Sequence, residues 1–427
     1  MKKTLLLIFM LFFVVSNLSG APFDWKKYSG DSIRVLGLKF YYTNLIKKRL
    51  NEFEDLTGIK VVLETYPEDQ FRQKMVVELA GGSTSIDAFT TGTAYEGRKF
   101  YVSGWYEYLD NYISDSSITN PNWDINDFVP SVWNAQVYEG NRVSIPLNAV
   151  TWVLFYRKDL YQKYNLTIPK TFNDLEKNVS ILNKDNIHGY VGRGKRTQAV
   201  PSYSILLHAF GGKWLNDKRK AAFNSKAGID ALDFYVKLMK NYANPGSAEN
   251  NWYDVLSLLQ QGKAAHIIDT NAWIGAVSNP EKSKVGDLLG FAPIPVGPSG
   301  TPVSDLWSWN MAISSMSKKK KQAWYFIQWV TGKEFQKFIQ LNKFPSSRLS
   351  AWQSSEFAKI ANKEWLDSTM TSFKYASPIA HPVVVEIHQI EDVIGSAIVD
   401  SILGKKSSKR ALDDAAKEVN NILESTE

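Results

Sequence analysis

Cysteine is absent from all 427 residues. That excludes disulfides, thiol nucleophiles and cysteine-based metal sites. It also excludes a lipid anchor on a cysteine after a leader. Histidine is scarce, at positions 188, 208, 266, 381 and 388, and none of these has metal-ligand spacing. There is no GxSxG elbow, no phosphate-binding loop and no GxGxxG. No cofactor is therefore expected. Beyond the N-terminus, no apolar run approaches the ~18 residues that span a bilayer. Charge of one sign is also missing, since 50 basic and 43 acidic residues give only +7. The main cluster, Lys318–Lys321, reads as the solvated start of a helix rather than a nucleic-acid patch. No internal repeat and no long disordered tract is visible.

What is present is length and aromatic side chains. The chain is long enough for two or more domains with real cores. Fourteen Trp, 20 Tyr and 22 Phe exceed what cores require and point to rings at a binding surface. The first 20 residues read as a secretory signal: Lys2 and Lys3, then apolar Leu5–Val15, then small residues for cleavage between Ser19 and Ala21. The expected location is a bacterial periplasm, with the protein free and monomeric.

The mature N-terminal region alternates strands and helices. Ile33–Leu38, Ile59–Leu63 and Ile86–Thr90 read as strands. Between them lie an amphipathic helix capped by Thr43 and ended by Gly58, and a helix opened by Pro67 and ended by Gly81-Gly82. Such βα units predict an α/β fold with a parallel sheet. Ligands of such sheets bind outside the carboxyl ends of the strands, here the loops Lys39–Tyr42, Tyr66–Asp69 and Thr91–Glu96. Farther on, Val143–Leu147 and Trp152–Tyr156 read as two strands around Asn148-Ala149-Val150-Thr151. Pro146 cannot donate to a sheet ladder, so its strand belongs at an edge or a crossing. We read this stretch as the point where the chain passes between lobes. Thr171 heads a capping box, Tyr203–Phe210 is a helix, Ile187–Val191 and Ala264–Ile268 are strands, and Trp307–Ser314 is one strand. Ser355–Asp367, Glu386–Leu403 and Ala411–Leu423 are helices.

Polar residues accompany Trp at predicted strand ends: Asn148 with Trp152, Asp269 with Trp273, and Asp305 with Trp307. Sugars need this combination. Their C–H faces stack on indole, and their hydroxyls need planar polar partners, at a cost of ~1–3 kcal/mol for each one left unpaired. Three readings remain open on these grounds. One is a carbohydrate-binding protein. Another is a secreted glycoside-active enzyme with a carboxylate pair in its cleft. The third is a peptide- or oligo-anion-binding protein. Arg193 in Gly192-Arg-Gly-Lys-Arg196 could grip a phosphate, though a basic loop is the commoner meaning.

Ordered stretches along nearly all of the mature chain resemble the extracellular solute-binding proteins of ABC importers, in their carbohydrate-binding branch. They are Phe53-Glu-Asp-Leu-Thr-Gly-Ile-Lys-Val61, Gly81-Gly82 with Ile86-Asp-Ala-Phe89, Ile145-Pro146 through Phe155-Tyr-Arg-Lys-Asp-Leu160, Pro169-Lys-Thr-Phe-Asn-Asp-Leu175, Phe210-Gly-Gly212, Phe223-Asn-Ser225, Gln261-Gly-Lys-Ala-Ala265 and Phe344-Pro-Ser-Ser-Arg348. Thr90-Thr-Gly-Thr-Ala-Tyr-Glu96 is most similar to members that bind sugar alcohols or small glycosides. Where that subgroup tends to carry a polar and often acidic patch after the proline, this chain has Leu147-Asn-Ala-Val150.

The resemblance implies a periplasmic-binding-protein fold, with two α/β lobes joined by a hinge and a ligand cleft between them. It implies a first lobe of residues 21–144 plus 293–344 and a second of 145–292 plus 345–427. It implies a sugar or polyol ligand and ABC transporter permease subunits as partners. Carried across, the ligand contacts are Lys39, Tyr41, Glu68, Tyr95, Asn148, Trp152, Trp273, Trp307 and Arg348. Trp273 and Trp307 are the expected stacking platforms, and Asn148, Glu68 and Arg348 the expected hydroxyl partners.

Overall fold

A computed structural model describes residues 22–425. The proposed signal segment lies outside these residues. Among them the strands are β1 (Ser32–Leu38), β2 (Lys60–Tyr66), β3 (Ala88–Thr91), β4 (Val137–Tyr138), β5 (Asn141–Arg142), β6 (Ile145–Pro146), β7 (Val150–Arg157), β8 (His266–Thr270), β9 (Leu289–Ala292), β10 (Leu306–Trp307) and β11 (Asn310–Ile313). The first sheet has the order β2-β1-β3-β11-β6. β1 runs parallel to β2 and β3, and β11 is antiparallel to β3 and β6. Pro146 sits on the sheet edge, where its missing N–H breaks no ladder. The second sheet centres on β7, which pairs antiparallel with β8, β9 and β10. Every residue of β7 is buried. Trp152, Leu154 and Tyr156 face one apolar core, and Val153 and Phe155 face another.

Local chemistry explains most element ends. The helix Tyr41–Thr57 stops where Gly58 takes φ 73°, a left-handed conformation suited to glycine. It begins two residues before Thr43, which therefore does not cap it from outside. Instead the Thr43 hydroxyl sits in the first turn and accepts the Phe40 N–H at 3.1 Å. The helix Phe172–Leu182 carries the expected box: Asp174 N–H donates to Thr171 Oγ1 at 3.1 Å and Thr171 N–H donates to Asp174 Oδ2 at 3.0 Å. The expected strand 187–191 is reduced to isolated bridges, such as His188 with Ala264.

The described chain passes between the lobes three times. The first passage is Leu147-Asn148-Ala149, between β6 and β7. The second is Ser308-Trp309, between β10 and β11. Trp307–Ser314 is thus not one strand but two strands in different sheets. The proline-rich segment after Ala292 stays on the second lobe, because Val296 N–H donates to Lys170 O at 2.8 Å and Ile294 joins that lobe's core. The return therefore lies later in the chain than the Pro293 boundary read from the sequence. The third passage is Phe344–Arg348. It links the helix Lys333–Leu341, packed in the first lobe, to the helix Leu349–Trp352 in the second.

The three passages are laced together. Leu147 N–H donates to Trp309 O at 2.8 Å, and Trp309 N–H donates to Asn148 Oδ1 at 2.7 Å. Asn148 and Ser346 form an antiparallel bridge. Gln336, fully buried, reaches two passages at once: Nε2 donates to Leu147 O at 3.1 Å while Oε1 accepts from Ser346 Oγ at 2.8 Å and Ser347 N at 2.9 Å.

Candidate ligand cleft between the lobes

On the second-lobe side, β8 delivers Asp269 beside Val153 of β7. Arg193, from the loop before the helix Arg196–Ala209, meets it at two points: Nε donates to Oδ2 at 2.7 Å and Nη2 to Oδ1 at 2.5 Å. Burial pushes the Asp269 carboxyl up, and the guanidinium opposes that shift. The Arg193 guanidinium lies 4.9 Å from the Trp152 ring centre and 5.9 Å from that of Trp273. Both indoles are more than nine-tenths buried, and Trp273 also packs on Phe155.

On the first-lobe side, the helix Glu68–Ala80 presents Arg72. Its Nη2 donates to Glu68 Oε1 at 2.9 Å, and its Nη1 meets the buried Glu96. Burial works against the Arg72 charge, but Glu96 and Glu68 more than offset it and raise its pKa. Glu96 also accepts Gly92 N–H at 2.7 Å, which fixes it at the start of the helix Thr93–Val102. The guanidinium lies 4.7 Å from the Tyr95 ring centre and 5.2 Å from that of Trp309. Trp309 meets Trp307 edge-to-face at 5.6 Å. The Trp307 ring rests on Gly92, where an added Cβ would come 2.8 Å from Trp307 Cζ2. Only glycine fits there.

The two sides touch. The Tyr95 hydroxyl donates to Glu391 Oε2 at 2.8 Å and stands 2.8 Å from His388 Nδ1. Both partners belong to the second-lobe helix Ile387–Ile402. Nearby, Asp305 is buried and accepts Ile379 N–H at 3.2 Å and Ala380 N–H at 3.0 Å. Burial pushes its carboxyl up to about 6, partly opposed by His381 and these amides.

The sequence-derived residues divide accordingly. Tyr95 and Trp307 are brought together, with Glu68 joined to them through Arg72. Trp152 and Trp273 meet over Arg193, and Asn148 lies at the junction of the passages. Lys39 is exposed at the end of β1, with its N–H on Tyr66 O. Tyr41 is half exposed and donates to Asn342 O at 3.1 Å. Arg348 stands apart. It is fully buried, its Nε donates to Thr331 O at 2.7 Å, its Nη1 meets Asp124 O, and its guanidinium lies 3.5 Å from the Phe128 ring centre. Burial lowers its pKa to about 9. Those contacts make it an anchor of the third passage rather than a hydroxyl partner.

Sequence reasoning gave no cleft role to Arg72, Arg193 or Trp309. Arg72 carried one local signal, its i,i+4 spacing from Glu68. Arg193 stood out only in a basic loop that could grip a phosphate, and its pairing was hidden because Asp269 is 76 residues away.

Each cleft arginine has its own carboxylate, and each pair lies against aromatic faces. Such a surface offers fixed donors, fixed acceptors and apolar planes with the arginine charges compensated locally. That suits a neutral polyhydroxylated molecule better than an anion. Among the described residues no group of three or more His, Asp or Glu is placed to hold a metal ion, and no helix is long and apolar enough to cross a membrane.

Residues 41–337 match the family described as bacterial extracellular solute-binding protein. This chain belongs to that family. Among relatives of this solute-binding protein, the mannitol-binding protein of Pseudomonas aeruginosa is 27% identical over 379 residues, covering 82% of this chain and 83% of that one. The erythritol/L-threitol-binding protein of Mycolicibacterium smegmatis is 29% identical over 334 residues, covering 73% and 69%. Among solved structures, the ABC transporter solute-binding protein of Agrobacterium vitis S4 with bound D-mannitol has a TM-score of 0.80 at 26% identity, covering 93% of this chain and 99% of that one. The one from Agrobacterium radiobacter K84 in complex with ribitol has a TM-score of 0.83 at 24% identity, covering 94% and 100%. The solute-binding protein thus shares their two-lobed periplasmic-binding-protein fold.

Proposed function

We propose that this solute-binding protein captures a sugar alcohol or small carbohydrate by closing its two lobes, and delivers it to the permease subunits of an ABC importer. The observation that carries this reading is the pair of arginine–carboxylate contacts, Arg193–Asp269 and Arg72–Glu96, each set against aromatic rings on opposite sides of the cleft. The polyol names of the relatives and the polyols in the similar structures support the ligand class.

In this reading Trp152, Trp273 and Trp307 supply faces for ligand C–H groups. Arg193, Asp269 and Arg72 supply hydroxyl partners. Asn148 sets the hinge geometry, and Lys39, Tyr41 and Glu68 line the first-lobe rim. Ligand contacts from both lobes stabilise the closed state over the open one, and only that differential affinity shifts the population. The lobes are residues 22–146 with 310–344, and 150–307 with the C-terminal helices. The mature protein works as a monomer in the periplasm after removal of the first 20 residues.

A thermal-shift panel of ribitol, D-mannitol, erythritol, maltose and an anionic oligosaccharide tests this. Stabilisation by a neutral polyol or sugar is expected. A response confined to the anion would contradict it.

A further inference from the structure

Tyr95 does something other than face a ligand. Its phenol has one proton, which goes to Glu391 Oε2 at 2.8 Å. The second contact, 2.8 Å to His388 Nδ1, must then run the other way, with the imidazole N–H donating to the phenol oxygen. Tyr95 rides on the first lobe, and both partners ride on the second-lobe helix Ile387–Ile402. These bonds exist only when the lobes are shut.

We propose that Tyr95, His388 and Glu391 form a proton-linked latch, in which closing the lobes expels a proton from His388, so that the closed state weakens as the medium turns acidic. The proposal rests on the lobe-closure reading and extends it to regulation of the same movement.

The charges around His388 set the sign. From the first lobe it faces Arg72 of the helix Glu68–Ala80, and Glu96 and Lys99 of the helix Thr93–Val102. From its own helix it faces Glu391. His381 packs against the same Tyr95 ring at 5.1 Å, and its Nδ1 lies 3.2 Å from Glu391 Oε1. Glu386 stands at the start of the helix with Oε2 buried, and Arg196 of the neighbouring helix is taken up by Asp392. His381 and Glu391 belong to the same lobe, so their contact persists when the lobes part. Arg72, Glu96 and Lys99 all leave with the other lobe. In the closed state burial and the Arg72 charge, aided by Lys99 and opposed by Glu96 and Glu391, push the His388 pKa down. The imidazole keeps solvent contact even in the closed state; opening removes two cations against one anion, with Arg72 the strongest of the three, so its pKa rises. Protons therefore bind the open state more tightly, and acid favours opening. A protonated His388 could still donate to Tyr95. The latch is weakened by charge, not by loss of the bond.

The test reads lobe separation and needs no knowledge of the ligand. The chain has no cysteine, so Asn51→Cys and Lys226→Cys, at exposed positions on opposite lobes, introduce a single pair of spin labels. Inter-label distances are measured by pulsed electron resonance from pH 8 to pH 5, without ligand and with D-mannitol, ribitol, erythritol or maltose. The closed-to-open ratio is expected to fall as pH drops, by at most tenfold per pH unit for one linked proton. His388→Gln keeps a donor for Tyr95 and should flatten the pH response. Tyr95→Phe removes both bonds and should lower the ratio roughly tenfold at every pH. A wild-type ratio that does not move with pH would overturn the latch, as would a slope that survives in His388→Gln. If D-mannitol, ribitol, erythritol and maltose all leave the distances unchanged while the ligand-free series moves with pH, the polyol reading fails and the latch stands.

Discussion

Arg193 holds Asp269 with two nitrogens, at 2.7 and 2.5 Å, while its guanidinium lies over the Trp152 ring, 4.9 Å from its centre. The carboxylate is almost completely buried, so neither partner can be removed without stranding the other. Asp269→Asn should lower the unfolding free energy by about 3–5 kcal/mol, the usual cost of breaking a buried pair from one side. Urea unfolding curves measure this. The same variant should lose the ligand-induced thermal shift.

Trp273 is set into a core as well as beside the guanidinium. Truncation to alanine would leave a cavity costing about 3–5 kcal/mol and would obscure any binding role. Trp273→Phe keeps most of the volume and removes the wider indole face. It should remain folded, with a melting curve near that of the wild type, and bind polyol at least tenfold more weakly by calorimetry, the loss of about 1.4 kcal/mol of contact.

Gln336 joins two of the three passages through one amide. Gln336→Leu would leave Leu147 O, Ser346 Oγ and Ser347 N without this partner in a fully buried site. A stability loss of about 3 kcal/mol is expected in urea titrations, since each stranded group costs ~1–3 kcal/mol and relaxation recovers part of it. Lobe separation by small-angle scattering should also become broader, because the passages no longer move as one unit.

Much of this organisation was legible in the residues. Pro146 announced an edge strand, Gly58 a helix end, and Thr171 with Asp174 a capping box, because each effect acts within a few residues. What was not legible depends on long-range partners. The stretch from Trp307 to Ile313 has strand character throughout, so nothing local reveals that it changes sheets at Ser308-Trp309. Arg348 reads as a polar group near a cleft until Thr331, Asp124 and Phe128 close around it. Tyr203–Phe210 understated its helix, which starts at Arg196 and carries Pro201 within its first turns. Ser355–Asp367 overstated one, since it breaks into Ser355–Ala358 and a helix beginning at Lys363. The cleft aromatics were visible as residue types. The arginine pairs that sit with them were not, because each partner comes from a different element.

His266 gives a pH signature separate from the latch. It is fully buried in the second lobe, 2.7 Å from the Tyr161 hydroxyl and 2.7 Å from Gly189 O. Nδ1–H donates to the carbonyl, so Nε2 accepts from the phenol and the ring is neutral. Burial pushes its pKa down to about 4. A histidine depressed in the folded state stabilises least in acid. Its contribution is complete above the unfolded value near 6.5 and is lost as pH falls from there to about 4, a change of roughly 3 kcal/mol. Urea midpoints between pH 7 and pH 4 should fall accordingly. His266→Gln should be less stable at pH 7 and should show a shallower acid limb.

In the proposed function, the paired arginines and tryptophans of the cleft hold a neutral polyol without transforming it. Isothermal titration with ribitol, D-mannitol and erythritol, followed by chromatography of the recovered titrant, tests this most directly. One site per chain is expected for at least one of these polyols, with the titrant recovered unchanged and the heat signal lost in Asp269→Asn. Absence of binding to every polyol and sugar tried, or conversion of the titrant to a new product, would contradict it.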